Sequence, residues 1–125
     1  MRRVRRQAYG GTSPDLCYGG QDEDRGQMGA LSALMSIGLF SIDGGSSSSP
    51  AYDITSPIFD EITQRLNPEY CPGEEFKIIV HDNAPDNYYI KRAVLNGKEL
   101  TALQVSHADY ARGGVLELWL APTAQ

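Results

Sequence analysis

Apolar and polar positions along the chain follow two different rhythms. From Gln27 to Phe40, Met28, Leu31, Leu34, Met35, Ile37 and Leu39 recur at three-and-four spacing. Small residues fill the gaps: Gly29, Ala30, Ser32, Ala33 and Ser36. The spacing predicts one helix over 27–40, apolar nearly all round and therefore buried, with Gly38 weakening its end. Residues 7–25, with their paired glycines and Pro14, read as loop. After the flexible stretch Gly44-Gly45-Ser46-Ser47-Ser48-Ser49-Pro50 the rhythm turns to β. Ala51–Thr55 reads as a short strand, and Ile58, Ile62 and Leu66 mark a second extended segment. Glu75–His81 and Asn87–Leu95 follow, the latter closing on Asn96-Gly97, a hairpin signal because both residues tolerate positive φ. Val115–Ala121 alternates, with Leu116, Leu118 and Leu120 on one face and Glu117 and Trp119 on the other. Five or six strands of this kind predict an antiparallel sheet or half-sandwich, and so an α+β fold. A helix apolar on every side needs partners on every side. The chain offers one sheet and no other clear helix, so this helix is expected to belong to a larger helical assembly.

Charge narrows the function. The 125 residues hold 11 Lys and Arg against 16 Asp and Glu, a net charge of −5. Four arginines, Arg2, Arg3, Arg5 and Arg6, crowd the first six positions, leaving the remainder at −9. Such a body lacks the basic face that nucleic acid requires. The arginines themselves read as a solvated, flexible terminus. The hydrophobic share of 41% permits a core. No run of about 20 apolar residues exists to span a membrane. Asp15 and the 22–24 acids precede any apolar stretch, which argues against a signal peptide. Cys17 and Cys71 read as reduced thiols, and with two histidines they match no familiar zinc spacing. A bridge between them is open but not indicated.

The chemistry candidate is Gln21-Asp22-Glu23-Asp24-Arg25-Gly26-Gln27-Met28. Three consecutive carboxylates repel one another, and a following helix start relieves this with free N–H groups and partial positive charge. Carboxylates so placed stay ionised, which suits a base, a metal ligand or a water-holding group and not a general acid. In an extended segment Asp22 and Asp24 point one way and Glu23 the other. The plainer reading is structural: Asp24 as helix N-cap, with Gln27 closing a capping box. An Asp-x-Asp pair also occurs in nucleotide-sugar transferases that hold a divalent ion, a weak match, and an EF-hand loop is excluded by spacing. His81 and His107 read as surface or hydrogen-bonded structural residues. Trp119 and the Tyr88/Tyr89 pair could stack on a sugar, but strand aromatics more often pack in a core.

The motif Asp22 to Met28, followed by a helix ending Ile37-Gly38-Leu39-Phe40, resembles the C-terminal part of glycoside hydrolase family 92, the calcium-dependent exo-acting α-mannosidases. The likeness continues in order through Tyr52 to Asp60, Tyr89-Ile90 to Lys98, and Ser106-His107-Ala108-Asp109 to Leu116, covering roughly residues 8–120. The resemblance implies an (α/α)6 barrel paired with a β-sandwich, acting on terminal α-mannosides, many of them on N-glycans, with inversion. It implies Asp24 as the general base, Asp22 as its close helper, and Glu23 and Gln27 in substrate binding or structural support. It implies calcium, whose ligands it does not assign here. Residues 1–43 would then end the barrel domain, 44–50 link, and 51–125 form a C-terminal antiparallel β region. Leu31 and Ser32 stand where family members often carry aromatics. The family's general acid lies well upstream, so this chain is expected to be a C-terminal piece, inactive alone, whose partners are a mannose-containing glycan and the rest of the catalytic domain. A secreted or glycan-processing setting fits the family. The competing expectation is a non-catalytic β-sandwich module, for carbohydrate binding or as a scaffold.

Overall fold

The computed structural model describes residues 2–8, 11, 13 and 27–124. Its elements run α1 (Arg2–Ala8), α2 (Gln27–Ile37), β1 (Leu39–Phe40), β2 (Ala51–Ile54), β3 (Glu61–Arg65), β4 (Glu75–His81), β5 (Tyr89–Leu95), β6 (Lys98–Glu99), β7 (Gln104–Ser106), α3 (His107–Arg112) and β8 (Gly114–Ala121). The α+β class holds, with two sheets in place of one. A three-stranded sheet has the order β1-β2-β7, and a five-stranded sheet the order β3-β4-β8-β5-β6.

The sheets share one core, because alternation along the central strands β4 and β8 puts one apolar row of each on the inner face. Phe76 and Ile78 of β4 and Leu116, Leu118 and Leu120 of β8 are almost fully buried. Leu39, Ile54 and Val105 of the small sheet join the same cluster. The five-stranded sheet is not wholly antiparallel: β4 and β8 pair in parallel, Phe76 opposite Gly114 through His81 opposite Trp119. The sequence pattern shows which face a residue takes but not the direction of its neighbour strand, and the long excursion through β5, β6, β7 and α3 returns β8 parallel to β4. The Asn96-Gly97 turn forms as expected, with φ of 50° and 80°, joining β5 to β6. Asn96 also binds β8, its side-chain Oδ1 accepting from the Val115 N–H at 2.8 Å.

Three helical expectations are corrected. The 27–40 helix stops at Ile37, because Gly38 turns to φ 80° and Leu39-Phe40 pair with Asp53-Ile54 as a strand. It is not buried all round: Met35 and Ser36 are buried, but Gly29, Ala30, Ala33 and Leu34 face solvent. Nor is it the only helix. The arginine-rich start folds as α1 against α2, and Ser106-His107-Ala108-Asp109 marks a strand end and the start of a further helix. Ser106 caps α3: its hydroxyl donates to Asp109 Oδ2 at 2.6 Å and accepts from the Asp109 N–H at 3.0 Å. Of the second extended segment, only Glu61–Arg65 is strand. The Gly/Ser stretch lies exposed between β1 and β2, which pair with each other across it. No helix among the described residues is long and apolar enough to cross a membrane.

Candidate functional site

Asp22, Glu23 and Asp24 lie outside the described residues, and so does the capping expected of Asp24. Gln27 opens α2, while its side chain also lies outside them. What the structure describes is the platform that carries the motif. The helix of 11 residues is about 16 Å long, and it is fastened at the end away from the motif. The Gly38 N–H donates to the Leu34 carbonyl at 3.0 Å, and the Gly38 carbonyl accepts from the Thr55 N–H at 2.8 Å. The Ile58 N–H donates to the Ser36 carbonyl at 3.0 Å. Only glycine fits at 38: a Cβ there would lie 2.5 Å from the Thr55 carbonyl oxygen and 2.6 Å from Pro57 Cγ. The buried Ser36 hydroxyl donates to the Ser32 carbonyl at 2.6 Å and accepts from Arg5 Nε of α1. The last turn of α2 is thereby bonded to the 55–58 segment and to α1. The N–H groups of its first turn lie at the end that follows the acidic cluster in sequence.

Beside the last turn of α2 a cavity of about 400 Å³ opens, walled by Leu34, Pro50, Tyr52 and His107. Register brings its two polar walls together, since Ala51 lies opposite Ser106 and Tyr52 opposite Val105. The Tyr52 hydroxyl and His107 Nδ1 are 2.9 Å apart. Tyr110 packs edge-on against Tyr52 at 5.3 Å and tilted on Phe76 at 4.9 Å. Burial raises both phenols above their ordinary value; nearby Cys71 adds to the effect at Tyr52, and Tyr52 and Cys71 add to it at Tyr110. At the exposed turn after β1, the Ser41 hydroxyl and then the Gly45 N–H hold Asp43 below its ordinary value. Cys71 is a free thiol, and Cys17 lies outside the described residues.

On the outer face of the large sheet Trp119 stands between two neighbours. His81 of β4 stacks on it at 4.5 Å and 16°, and the Arg92 guanidinium of β5 lies 4.8 Å from the ring centroid. His81 Nε2 reaches Glu117 Oε2 at 3.0 Å. Both histidines are hydrogen-bonded, as the sequence suggests. Trp119 is flanked by side chains and is not an open platform for a sugar. Among the described residues no three His, Cys, Asp or Glu side chains converge as a metal site would require, so they do not by themselves form a calcium cage. The sequence reading missed the Tyr52–His107–Tyr110 cluster because only the β2–β7 register joins residues 55 positions apart. It missed the part of Arg5 because no apolar period marks α1.

Comparison with known proteins places this architecture. A sequence model of the "Glycosyl hydrolase family 92 catalytic domain" matches residues 1–122. An uncharacterized secreted glycosidase of Arthroderma benhamiae is 32% identical over 99 residues, 79% of this chain and 12% of that protein. The structure of a family GH92 inverting mannosidase from Bacteroides thetaiotaomicron is 34% identical with a TM-score of 0.76, covering 98% of this chain and 15% of that one. A family GH92 alpha-mannosidase of the same organism, also solved in complex with mannoimidazole, is 26% identical with a TM-score of 0.80 and the same coverage. The chain thus spans between 12% and 15% of the length of these relatives.

Proposed function

The chain belongs to glycosyl hydrolase family 92, and on that premise we propose that it is the C-terminal portion of an inverting α-mannosidase and supplies its general base. The observation that carries the reading is the similarity to an inverting mannosidase over 98% of this chain. Asp24 is the base and Asp22 its close helper, with Glu23 and Gln27 supporting substrate or structure. Inversion requires a base carboxylate and a separate acid about 6.5–9.5 Å apart, leaving room for a water between the base and the sugar. The ionised Asp24 takes a proton from that water as its oxygen bonds to the anomeric carbon. The glycosidic bond breaks on the opposite face, where the acid, supplied by the rest of the enzyme, protonates the leaving oxygen. A carboxylate next to a helix start stays ionised at neutral pH and suits this role.

On this reading residues 1–43 end the helical-barrel catalytic domain, 44–50 connect, and 51–125 form the C-terminal β region. β1 is nonetheless stitched to β2 across the connection. The substrate is a terminal α-mannoside, including those of N-glycans. A secreted or glycan-processing setting is supported by the likeness to the secreted glycosidase of A. benhamiae. The calcium implied by the family would need ligands beyond the described residues, which bring no three His, Cys, Asp or Glu side chains together. A chelator should abolish hydrolysis by a full-length enzyme carrying this C-terminus, and calcium alone should restore it.

The decisive variant is Asp24→Asn in that full-length enzyme. Hydrolysis should fall by about 100-fold to 10,000-fold or more with little change in thermal midpoint. An active variant that melts early would make Asp24 a cap and no more. The second reading, a non-catalytic β-sandwich module, draws on the core cluster lying wholly between Leu39 and Leu120. Calorimetric titration of the 125-residue chain with mannose oligosaccharides separates the two, since specific binding without hydrolysis favours the module.

A further inference from the structure

The four arginines of α1 have no place in the mechanism above, yet they do not sit idle on the surface. Arg2, Arg5 and Arg6 line a cleft of about 350 Å³ with Ile58, Pro85 and Tyr88. Arg3, Arg6 and Tyr88 line its continuation. Two guanidiniums are held by neutral acceptors: Arg2 donates to Asn83 Oδ1, and Arg5 Nε donates to the Ser36 hydroxyl. Neither bond neutralises charge. None of the four makes an ion pair among the described residues. Asp82 pairs with Lys91 at 3.3 Å, while Asp60 accepts from Asn83 Nδ2 at 2.7 Å and so reaches Arg2 only through a neutral amide. An acidic protein thus keeps over a third of its basic side chains together, with no ion pair to any of them among the described residues.

We propose that this cleft binds a phosphate group, with Arg2, Arg5 and Arg6 as its donors. The choice of anion follows from valence. A carboxylate offers one charge and two oxygens, which a single guanidinium fork satisfies. A phosphate monoester carries a charge of about −1.5 to −2 and three acceptor oxygens, a match for several converging guanidiniums. Arg2 and Arg5, already fixed by Asn83 and Ser36, form the preset part, and the unpaired Arg6 closes on the ligand. Tyr88, Ile58 and Pro85 add a wall that suits the C–H face of a sugar ring carrying the phosphate. The phosphate site stands apart from the glycosidase reading; only its extension to a phosphorylated sugar rests on it.

Titration of the full 125-residue chain with inorganic phosphate, with a hexose 6-phosphate and with the same neutral hexose tests this. Phosphate should bind saturably, Arg6→Gln should weaken binding about tenfold or more, and Lys98→Gln on the distant β5–β6 turn should leave it within about twofold. Arg6 has no hydrogen-bond or ion-pair partner among the described residues, so the variant's thermal midpoint should hold. Tighter binding of the hexose phosphate, with the increment lost in Tyr88→Ala, identifies a phosphorylated sugar; equal affinity identifies free phosphate. Absence of saturable phosphate binding, or equal losses in Arg6→Gln and Lys98→Gln, would overturn the proposal. An inactive or active Asp24→Asn enzyme bears on neither result.

Discussion

Two glycines, one inside α2 and one just past its end, make opposite predictions. Gly38 combines φ of 80° with a backbone oxygen 2.5 Å from where a Cβ would stand. Gly38→Ala should therefore destabilise by about 2–4 kcal/mol. Gly29 has nothing within 4 Å of an added Cβ, and Gly29→Ala should stabilise the 125-residue chain by about 0.5–1 kcal/mol. Urea unfolding of both variants checks the signs. Tyr52 and Tyr110 set a pH limit. Their raised values mean that the folded chain keeps phenolic protons that the unfolded chain releases near its ordinary value of about 10. Their contribution is complete below that pH and lost as pH rises through the folded values. Urea midpoints should fall above about pH 10, and Tyr110→Phe should fall less steeply than the parent. Residue-scale legibility was uneven. The Asn96-Gly97 turn and the hydrogen-bonded histidines were readable because local chemistry decides them. The neutral acceptors that hold Arg2 and Arg5 were not, because they lie 81 and 31 positions away.

Elements were legible where burial is one-sided. β4 runs Glu75–His81 as its alternation predicts, and α2 begins at Gln27. α1 escaped notice because a helix of arginines with one exposed valine has no apolar stripe. The all-round apolar pattern of α2 was read as all-round burial, whereas within this chain only the side bearing Met35 and Ser36 is covered. The uncovered side carries Leu34 and the small residues Gly29, Ala30 and Ala33, which allow close approach of another backbone. That yields a prediction at this scale. If the remainder of the enzyme packs there, Gly29→Ala should reverse sign, stabilising the 125-residue chain and destabilising the full-length protein. Thermal melts of the two pairs decide it, and stabilisation in both would mean that side stays open.

At the scale of the molecule, the shared core of two sheets was foreseen only as a single sheet, because strand faces are written in the sequence and strand order is not. Exposed Leu34, Ile42 and Phe59 predict self-association of the 125-residue chain. Sedimentation should show species larger than monomer that diminish in Leu34→Gln, and a clean monomer at high concentration would count against it. The position of β8 carries a further consequence, for synthesis. Gly114–Ala121, made after all the other described strands, lies between β4 and β5 in the middle of the larger sheet. While the ribosome is still working towards it, β4 and β5 each present an unpaired edge to the cytosol or translocon, open to other chains. The sandwich therefore has no partial form to rest in. A stop codon before residue 114 removes the central strand and leaves two adhesive edges rather than a smaller domain.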